Sequence, residues 1–210
     1  MAWRQQLETH VRGLVSSAVK KTLARTSLTA SDLTLASPLL LTIAVWFIAQ
    51  GEMFWAGIAV IVVSSFDMLD GALARAKNEV SSFGAFLDST LDRYSDALIF
   101  LGFLIYYWRV APQSIEVILI YLAVVGTILT SYARARAEAL GFSCKVGLLE
   151  RPERIVLIIL GLLTGWVSLT LWVLAVVTNI TALQRCIHVW RQANQNGFIR
   201  PRRQLPQIGE

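Results

Sequence analysis

The sequence predicts an all-α integral membrane protein of six transmembrane helices, with an N-terminal amphipathic juxtamembrane helix ahead of them. Three observations lead there. Hydrophobic residues make up 55% of the 210 and charged residues only 16%, with seven Trp, which is far from the composition of a soluble domain. Apolar stretches of spanning length recur, separated by short polar breaks. Most of the 19 Lys and Arg flank those runs, and the three that fall inside them, Arg93, Arg134 and Arg136, lie toward span ends.

Taken in order, residues 1–23 mix Val11, Leu14, Val15 and Ala18 at helical spacing with Arg12, Lys20 and Lys21, the pattern of a helix lying along a membrane surface. No sustained apolar core or small-residue cleavage pattern marks this segment as a signal peptide. The membrane domain is expected over residues 24–191. Its first span is residues 33–50, closed by Gly51 and Glu52, and the next three are residues 53–73, 83–108 and 115–140. Residues 155–184 form a run of 30 uncharged residues, long for one crossing and short for two at ~1.5 Å per residue. A hairpin turning near Gly165, started at Pro152 and ended near Trp190, resolves this into two arms, since Pro is favoured in a first helical turn. Gly102 and Gly126, inside the third and fourth spans, permit close helix packing. Residues 192–210, with Arg200, Arg202 and Arg203 and few apolar side chains, are expected to be a flexible basic tail.

Six spans put both termini on one side, and of the 19 Lys and Arg only Arg109 falls on the other. The positive-inside rule then makes the termini cytoplasmic, in a multi-pass protein of a prokaryotic cytoplasmic membrane. The net charge of +5 sits beside apolar spans, so it points to anionic lipid and substrate phosphate as partners and not to nucleic acid. Cys144 and Cys186 are too few and too far apart to argue a disulfide framework, and His10 and His188 have no partner pattern.

The chemistry is carried by Asp67-x-x-Asp70-Gly71-x-x-Ala74-Arg75, eight residues, then Gly84-x-x-x-Asp88-x-x-x-Asp92. A carboxylate costs roughly 2.5–3.5 kcal/mol at the centre of a membrane helix, so a cluster implies compensating cations and a function. Residues three and four apart share a helix face, so Asp67 with Asp70, and Asp88 with Asp92, each form a carboxylate pair. Four carboxylates without nearby His or Cys suit Mg²⁺ or Mn²⁺ better than zinc, and two such ions roughly 3.5–4 Å apart would clamp a phosphoryl group. Gly71 and Gly84 clear room for a ligand or a neighbouring helix, and Arg75 offers a planar fork for phosphate oxygens.

This string resembles the signature of the CDP-alcohol phosphotransferases, with every fixed position present and the likeness extending over nearly the whole chain. The resemblance implies displacement of CMP from a CDP-linked lipid, CDP-diacylglycerol or a CDP-ether lipid, by the hydroxyl of a second alcohol. It implies Asp92 as general base as well as metal ligand, with Asp67 and Asp88 bridging two metal ions. Asp70, Gly71, Ala74, Arg75, Ser81 and Gly84 would line the nucleotide and phosphate pocket, and the family is typically homodimeric. Ser31, Asp32 and Thr34 look like the first helix's share of that pocket, although Ala30 stands where a proline is frequent. Asp96 continues the four-residue stripe of Asp88 and Asp92 one turn deeper, where it could orient Arg93 or a metal ligand.

Arg134, Arg136, Arg151, Arg154 and Arg185 gather at the cytoplasmic ends of spans four to six, a cluster suited to a multiply charged anion. Ser131 to Glu138 and Glu150 to Arg154 look like the branch of the family that makes phosphatidylinositol phosphate from inositol phosphate. In that branch Arg134, Arg136, Arg154 and Arg185 would hold the acceptor phosphate, a lysine being common at the position of Arg134. Glycerol 3-phosphate, giving phosphatidylglycerol phosphate, is the alternative acceptor. A divalent-cation transporter is the alternative from another class, although ion pathways tend to place carboxylates near the midplane and do not need the intervening Gly-x-x-Ala-Arg.

Overall fold

The computed structural model describes the backbone of residues 30–77 and 81–195 and the side chains of residues 36–66 and 81–195. The expected surface helix over residues 1–23 and the tail beyond residue 195 lie outside these. Among the described residues there are six α-helices and no strand: α1 Ala30–Gln50, α2 Met53–Lys77, α3 Ser82–Val110, α4 Ile115–Ala139, α5 Arg151–Thr164 and α6 Val167–Gln195.

Local chemistry accounts for the breaks. Gly51 and Gly165 take φ of 88° and 75°, a left-handed conformation that a residue with a Cβ adopts only at a cost, and they end α1 and α5. Pro152 lies in the first turn of α5, where its missing N–H has no partner to lose. The hairpin expected around Gly165 is therefore present. Two boundaries differ from expectation: Arg109 belongs to the last turn of α3 and not to a loop, and α6 continues through Gln195.

The helices pack as a ring in the order α1, α2, α5, α6, α4, α3 and back to α1. Arg109 Nη1 donates to the Ala49 carbonyl at 3.1 Å and Ser168 Oγ donates to Glu116 Oε1 at 2.7 Å, so the α1–α2, α3–α4 and α5–α6 turns share one end. Phe100 and Phe103 of α3, Ile48 of α1, Ile158 and Leu162 of α5, and Leu171 and Leu174 of α6 are buried. The outside is apolar instead of polar, with Trp46, Trp55, Trp108, Trp166 and Trp190 all exposed. So much exposed aromatic surface is what a protein solvated by lipid presents.

Helices α4 and α6 are long and apolar enough to cross a membrane unaided; the apolar parts of α1 and α2, Ala36–Gln50 and Met53–Phe66, are shorter. Helix α5 has 14 residues, about 21 Å of rise against roughly 30 Å of hydrocarbon, so this arm keeps the bounds expected from the sequence but falls short of a full crossing. The connection from α4 to α5 runs against α6, with Gly141, Ser143, Lys145 and Leu148 exposed. Cys144 is fully buried there, and Gln192 brackets Ser143 by accepting from its N–H at 3.2 Å and donating to its carbonyl at 2.6 Å. Burial pushes the Cys144 thiol above the usual cysteine range, so it stays protonated at neutral pH and is inert.

The α4–α6 contact is the most extensive in the ring. A Cβ on Gly126 would lie 2.9 Å from the backbone nitrogen of Asn179 and nearer still to the Thr178 hydroxyl. Thr130 Oγ1 donates to the Thr178 carbonyl at 3.0 Å and Asn179 Nδ2 to that of Leu122 at 2.9 Å, fastening the pair on either side of the glycine. Gly126→Ala is therefore expected to cost about 1–3 kcal/mol by overpacking, read as a lowered melting temperature of the detergent-solubilised protein.

Candidate active site

The first carboxylate pair, Asp67 and Asp70, lies on the C-terminal part of α2 with Gly71, Ala74 and Arg75. Ser31, Asp32 and Thr34 lie in the first turns of α1. The side chains of all these residues are outside those described. The second pair is described. Ser81 is the N-cap of α3, its Oγ accepting from the Gly84 N–H at 2.9 Å, so this hydroxyl secures the helix start that presents Asp88 and Asp92.

Along α3 the stripe grades from water to core: Asp88 is exposed, Asp92 half-buried and Asp96 only 4% exposed. Ion pairs hold the two deeper carboxylates. Arg151 Nη1 lies 2.7 Å from Asp92 Oδ1, and its Nε lies 3.7 Å from Asp96 Oδ1. The buried Arg154 donates from Nη2 to Asp96 Oδ2 at 3.0 Å. Arg93, the partner considered for Asp96 from sequence, instead donates to the Ser89 carbonyl one turn back. Helices α3 and α5 are not neighbours in the ring, so these pairs join them across its interior.

Beside them is a cavity of about 150 Å³ walled by Arg93, Arg134, Arg151, Arg154 and Arg185, with Glu150 the one carboxylate in its lining. Arg185, 3% exposed, is fully fixed: Nη1 donates to the Thr130 carbonyl at 2.6 Å, Nε to that of Val146 at 2.8 Å, and Nη2 lies 3.4 Å from Glu150 Oε1. Arg134 is looser, its Nε 3.0 Å from Glu138 Oε1 and its Nη1 3.6 Å from Glu150 Oε1. Five guanidiniums ring this small space, and although Asp92, Asp96, Glu138 and Glu150 offset part of their charge, their N–H groups are gathered around it. The arrangement suits a phosphate or another small polyanion.

Three of the four arginines assigned to the acceptor from sequence therefore converge, and Arg136 does not. Two residues along a helix is a rotation of about 200°, which turns Arg136 away from Arg134 to the outer face of α4. There it lines a largely apolar groove of about 670 Å³ between α4 and α6, with Leu129, Leu140, Leu183 and Trp190, and Arg185 borders both this groove and the cavity. Sequence reasoning placed Arg151 in the basic cluster but gave it no role, and it left Arg93 out. The signals were available: Arg151 and Arg154 are three apart on α5 and so share a face, and Arg93 adjoins Asp92. Among the described residues no three His, Cys, Asp or Glu side chains converge on a metal site.

Comparison with known proteins places these features in context. The family model for CDP-alcohol phosphatidyltransferase matches residues 27–185. The archaetidylinositol phosphate synthase of Methanothermobacter thermautotrophicus is 40% identical over 151 residues, which is 69% of this chain and 74% of that protein. The crystal structure of Mycobacterium tuberculosis phosphatidylinositol phosphate synthase with CDP-DAG bound aligns with a TM-score of 0.78 at 32% identity, covering 83% of this chain and 93% of the other. A structure of the same synthase in complex with manganese and citrate aligns at 0.76 and 33% identity, covering 83% and 88%.

Hydrogen bonds from a charged donor contribute about 1.5–3 kcal/mol each, and a lysine at position 185 could not reach three acceptors at once. Arg185→Lys is expected to lower stability by at least that amount, measurable as a drop in melting temperature in detergent.

Proposed function

Because the chain belongs to the CDP-alcohol phosphatidyltransferase family, with residues 27–185 matching its model, we propose that it transfers the phosphatidyl group of CDP-diacylglycerol, or the equivalent group of a CDP-linked ether lipid, to inositol phosphate. CMP and phosphatidylinositol phosphate are the products. The observation that carries this reading is the contact between the two halves of the site: Arg151, a wall of the cationic cavity, touches Asp92 at 2.7 Å. An acceptor with its phosphate among the arginines would have its hydroxyl beside the aspartates. The names of the relatives, synthases of phosphatidylinositol phosphate and archaetidylinositol phosphate, support inositol phosphate over glycerol 3-phosphate. Membership in an enzyme family also sets aside the transporter alternative.

In this mechanism the acceptor hydroxyl attacks the phosphatidyl phosphorus, the P–O bond to CMP breaks, and Asp92 takes the hydroxyl proton. Arg134, Arg154 and Arg185 hold the acceptor phosphate, which orients the hydroxyl and spares the transition state a large entropic cost. Asp70, Gly71, Ala74, Arg75, Ser81 and Gly84, with Ser31, Asp32 and Thr34, would bind the CDP portion of the lipid. The donor set fits hard divalent cations, since all four motif positions are carboxylates and the described α3 pair points one way. Asp67, Asp70, Asp88 and Asp92 would hold two Mg²⁺ or Mn²⁺ ions, and manganese in a relative's crystal supports the choice. When bound, these ions neutralise the pyrophosphate and make CMP a better leaving group.

The exposed aromatic surface supports a multi-pass protein of the cytoplasmic membrane with six spans, both termini and the site facing the cytoplasm. A short α5 can still be accommodated, because its N-terminus is covered by the connecting segment before it and not by lipid. The molecule would act as a homodimer.

The direct test is CMP release by the purified protein with CDP-diacylglycerol and Mg²⁺, offering inositol phosphate, free inositol, glycerol 3-phosphate or serine. Only inositol phosphate should stimulate release; stimulation by glycerol 3-phosphate alone would change the acceptor and keep the chemistry. Asp92→Asn is expected to reduce kcat by about 10²–10⁴-fold while CDP-lipid binding largely persists. EDTA should abolish turnover and added Mg²⁺ or Mn²⁺ restore it. Arg134→Ala should raise KM for inositol phosphate about tenfold or more and leave that for CDP-lipid nearly unchanged, whereas Arg136→Ala, on the outer face, should shift neither.

A further inference from the structure

The carboxylate of Asp96 is the buried charge that neither the metal cage nor the proton transfer uses. It lies outside the motif, four residues beyond Asp92 and 4% exposed. A carboxylate at that depth is retained only if cations meet it, and two do. Its Oδ2 accepts from Arg154 Nη2 at 3.0 Å, and its Oδ1 faces Arg151 Nε at 3.7 Å. Arg154 is itself 3% exposed and lines the cationic cavity, and its Nε has no hydrogen-bond partner among the described residues. One edge of the Arg154 fork is therefore committed to Asp96, while its Nε–H is desolvated and without a partner among the described residues.

We propose that Asp96 is a positioning residue for acceptor recognition. It fixes the guanidinium of Arg154 so that the acceptor phosphate meets a preset donor fork in register with Asp92. The inference rests on the reading of the arginine-walled cavity as the acceptor phosphate site. A free arginine side chain carries large rotamer entropy, and anchoring one edge of the fork before the ligand arrives removes part of that loss from binding. The register follows from Arg151, which spans from Asp96 to Asp92 with its Nη1 2.7 Å from the latter. Phosphate and hydroxyl belong to one acceptor molecule, so the separation between phosphate donors and base has to be held nearly constant for in-line attack. A single carboxylate, hydrogen-bonded to Arg154 and in a longer 3.7 Å ion pair with Arg151, sets that separation. A purely structural Asp96 would only neutralise Arg154, and its loss would weaken the whole fold without preference between substrates.

The test is steady-state CMP release in detergent by the wild type, Asp96→Asn, Arg154→Ala and the double variant, varying inositol phosphate and CDP-diacylglycerol separately. Asp96→Asn is expected to raise KM for inositol phosphate about tenfold or more, with KM for CDP-diacylglycerol within about twofold of wild type. On the Arg154→Ala background the same substitution should add less than about twofold, because the residue acts through Arg154. If Asp96→Asn does not yield folded protein, Asp96→Glu, which keeps the charge and displaces it by one methylene, should show the same split between the two substrates. Equal rises in both constants, or effects that multiply in the double variant, would overturn the proposal. A wild type that releases no CMP with inositol phosphate overturns the acceptor reading and this inference with it. An active wild type with unchanged Asp96 variants overturns this inference alone.

Discussion

Buried ions need partners, and in this bundle the partners lie across the ring. Helices α3 and α5 share no packing surface, yet Asp92 and Asp96 of one meet Arg151 and Arg154 of the other at 2.7–3.7 Å. Taking either side alone out of water would cost several kcal/mol per ion, and removing one partner of such a pair commonly destabilises by roughly 3–5 kcal/mol. The stripe of aspartates on α3 therefore dictates where α5 must begin, some three turns along α3 from its N-terminus. That offset leaves Asp88 and the first turns of α3 clear of α5, and it opens the cavity into which Arg134 and Arg185 reach from α4 and α6.

The same constraint explains why α5 is short. Its start is tied to Asp92 and Asp96, so the chain leaving α4 comes down along α6 to reach it, with only Cys144 of residues 141–150 buried. That descent is secured by polar contacts and not by regular structure: Gln192 on Ser143, Arg185 on Val146, and Glu150 against Arg134 and Arg185. Arg185 thus serves packing and electrostatics together. Its two carbonyl acceptors lie on α4 and on the connecting segment, so the guanidinium that faces the cavity also holds the cavity's rim.

Much of this was legible in the sequence. Helix periodicity placed Asp88 and Asp92 on one face, and the uncharged run broken at Gly165 announced the α5–α6 hairpin, which is present. The motif spacing identified the family, because it constrains residue types at positions that only a shared ligand requires. What the sequence did not disclose depends on rotation and depth. Arg134 and Arg136 look equivalent in a line of text, but two positions on a helix separate opposite faces, and only Arg134 joins the cavity. Asp96 was recognised as part of the stripe, but its partners are more than fifty residues away on a helix whose place beside α3 no local pattern could set. The course of the α4–α5 connection was missed for a related reason: Gly141 to Glu150 has the composition of an ordinary connecting loop, and its contacts come from side chains on α6.

The central claim is that an arginine-walled cavity tied to Asp92 selects a phosphorylated inositol as the attacking alcohol. A competition measured by mass spectrometry of the lipid product addresses it most directly, with the purified protein, CDP-diacylglycerol and Mg²⁺ given inositol phosphate and glycerol 3-phosphate together at equal concentration. The account predicts phosphatidylinositol phosphate as the dominant new lipid, formed in step with CMP. Dominant phosphatidylglycerol phosphate, or CMP released without any new lipid, would contradict it.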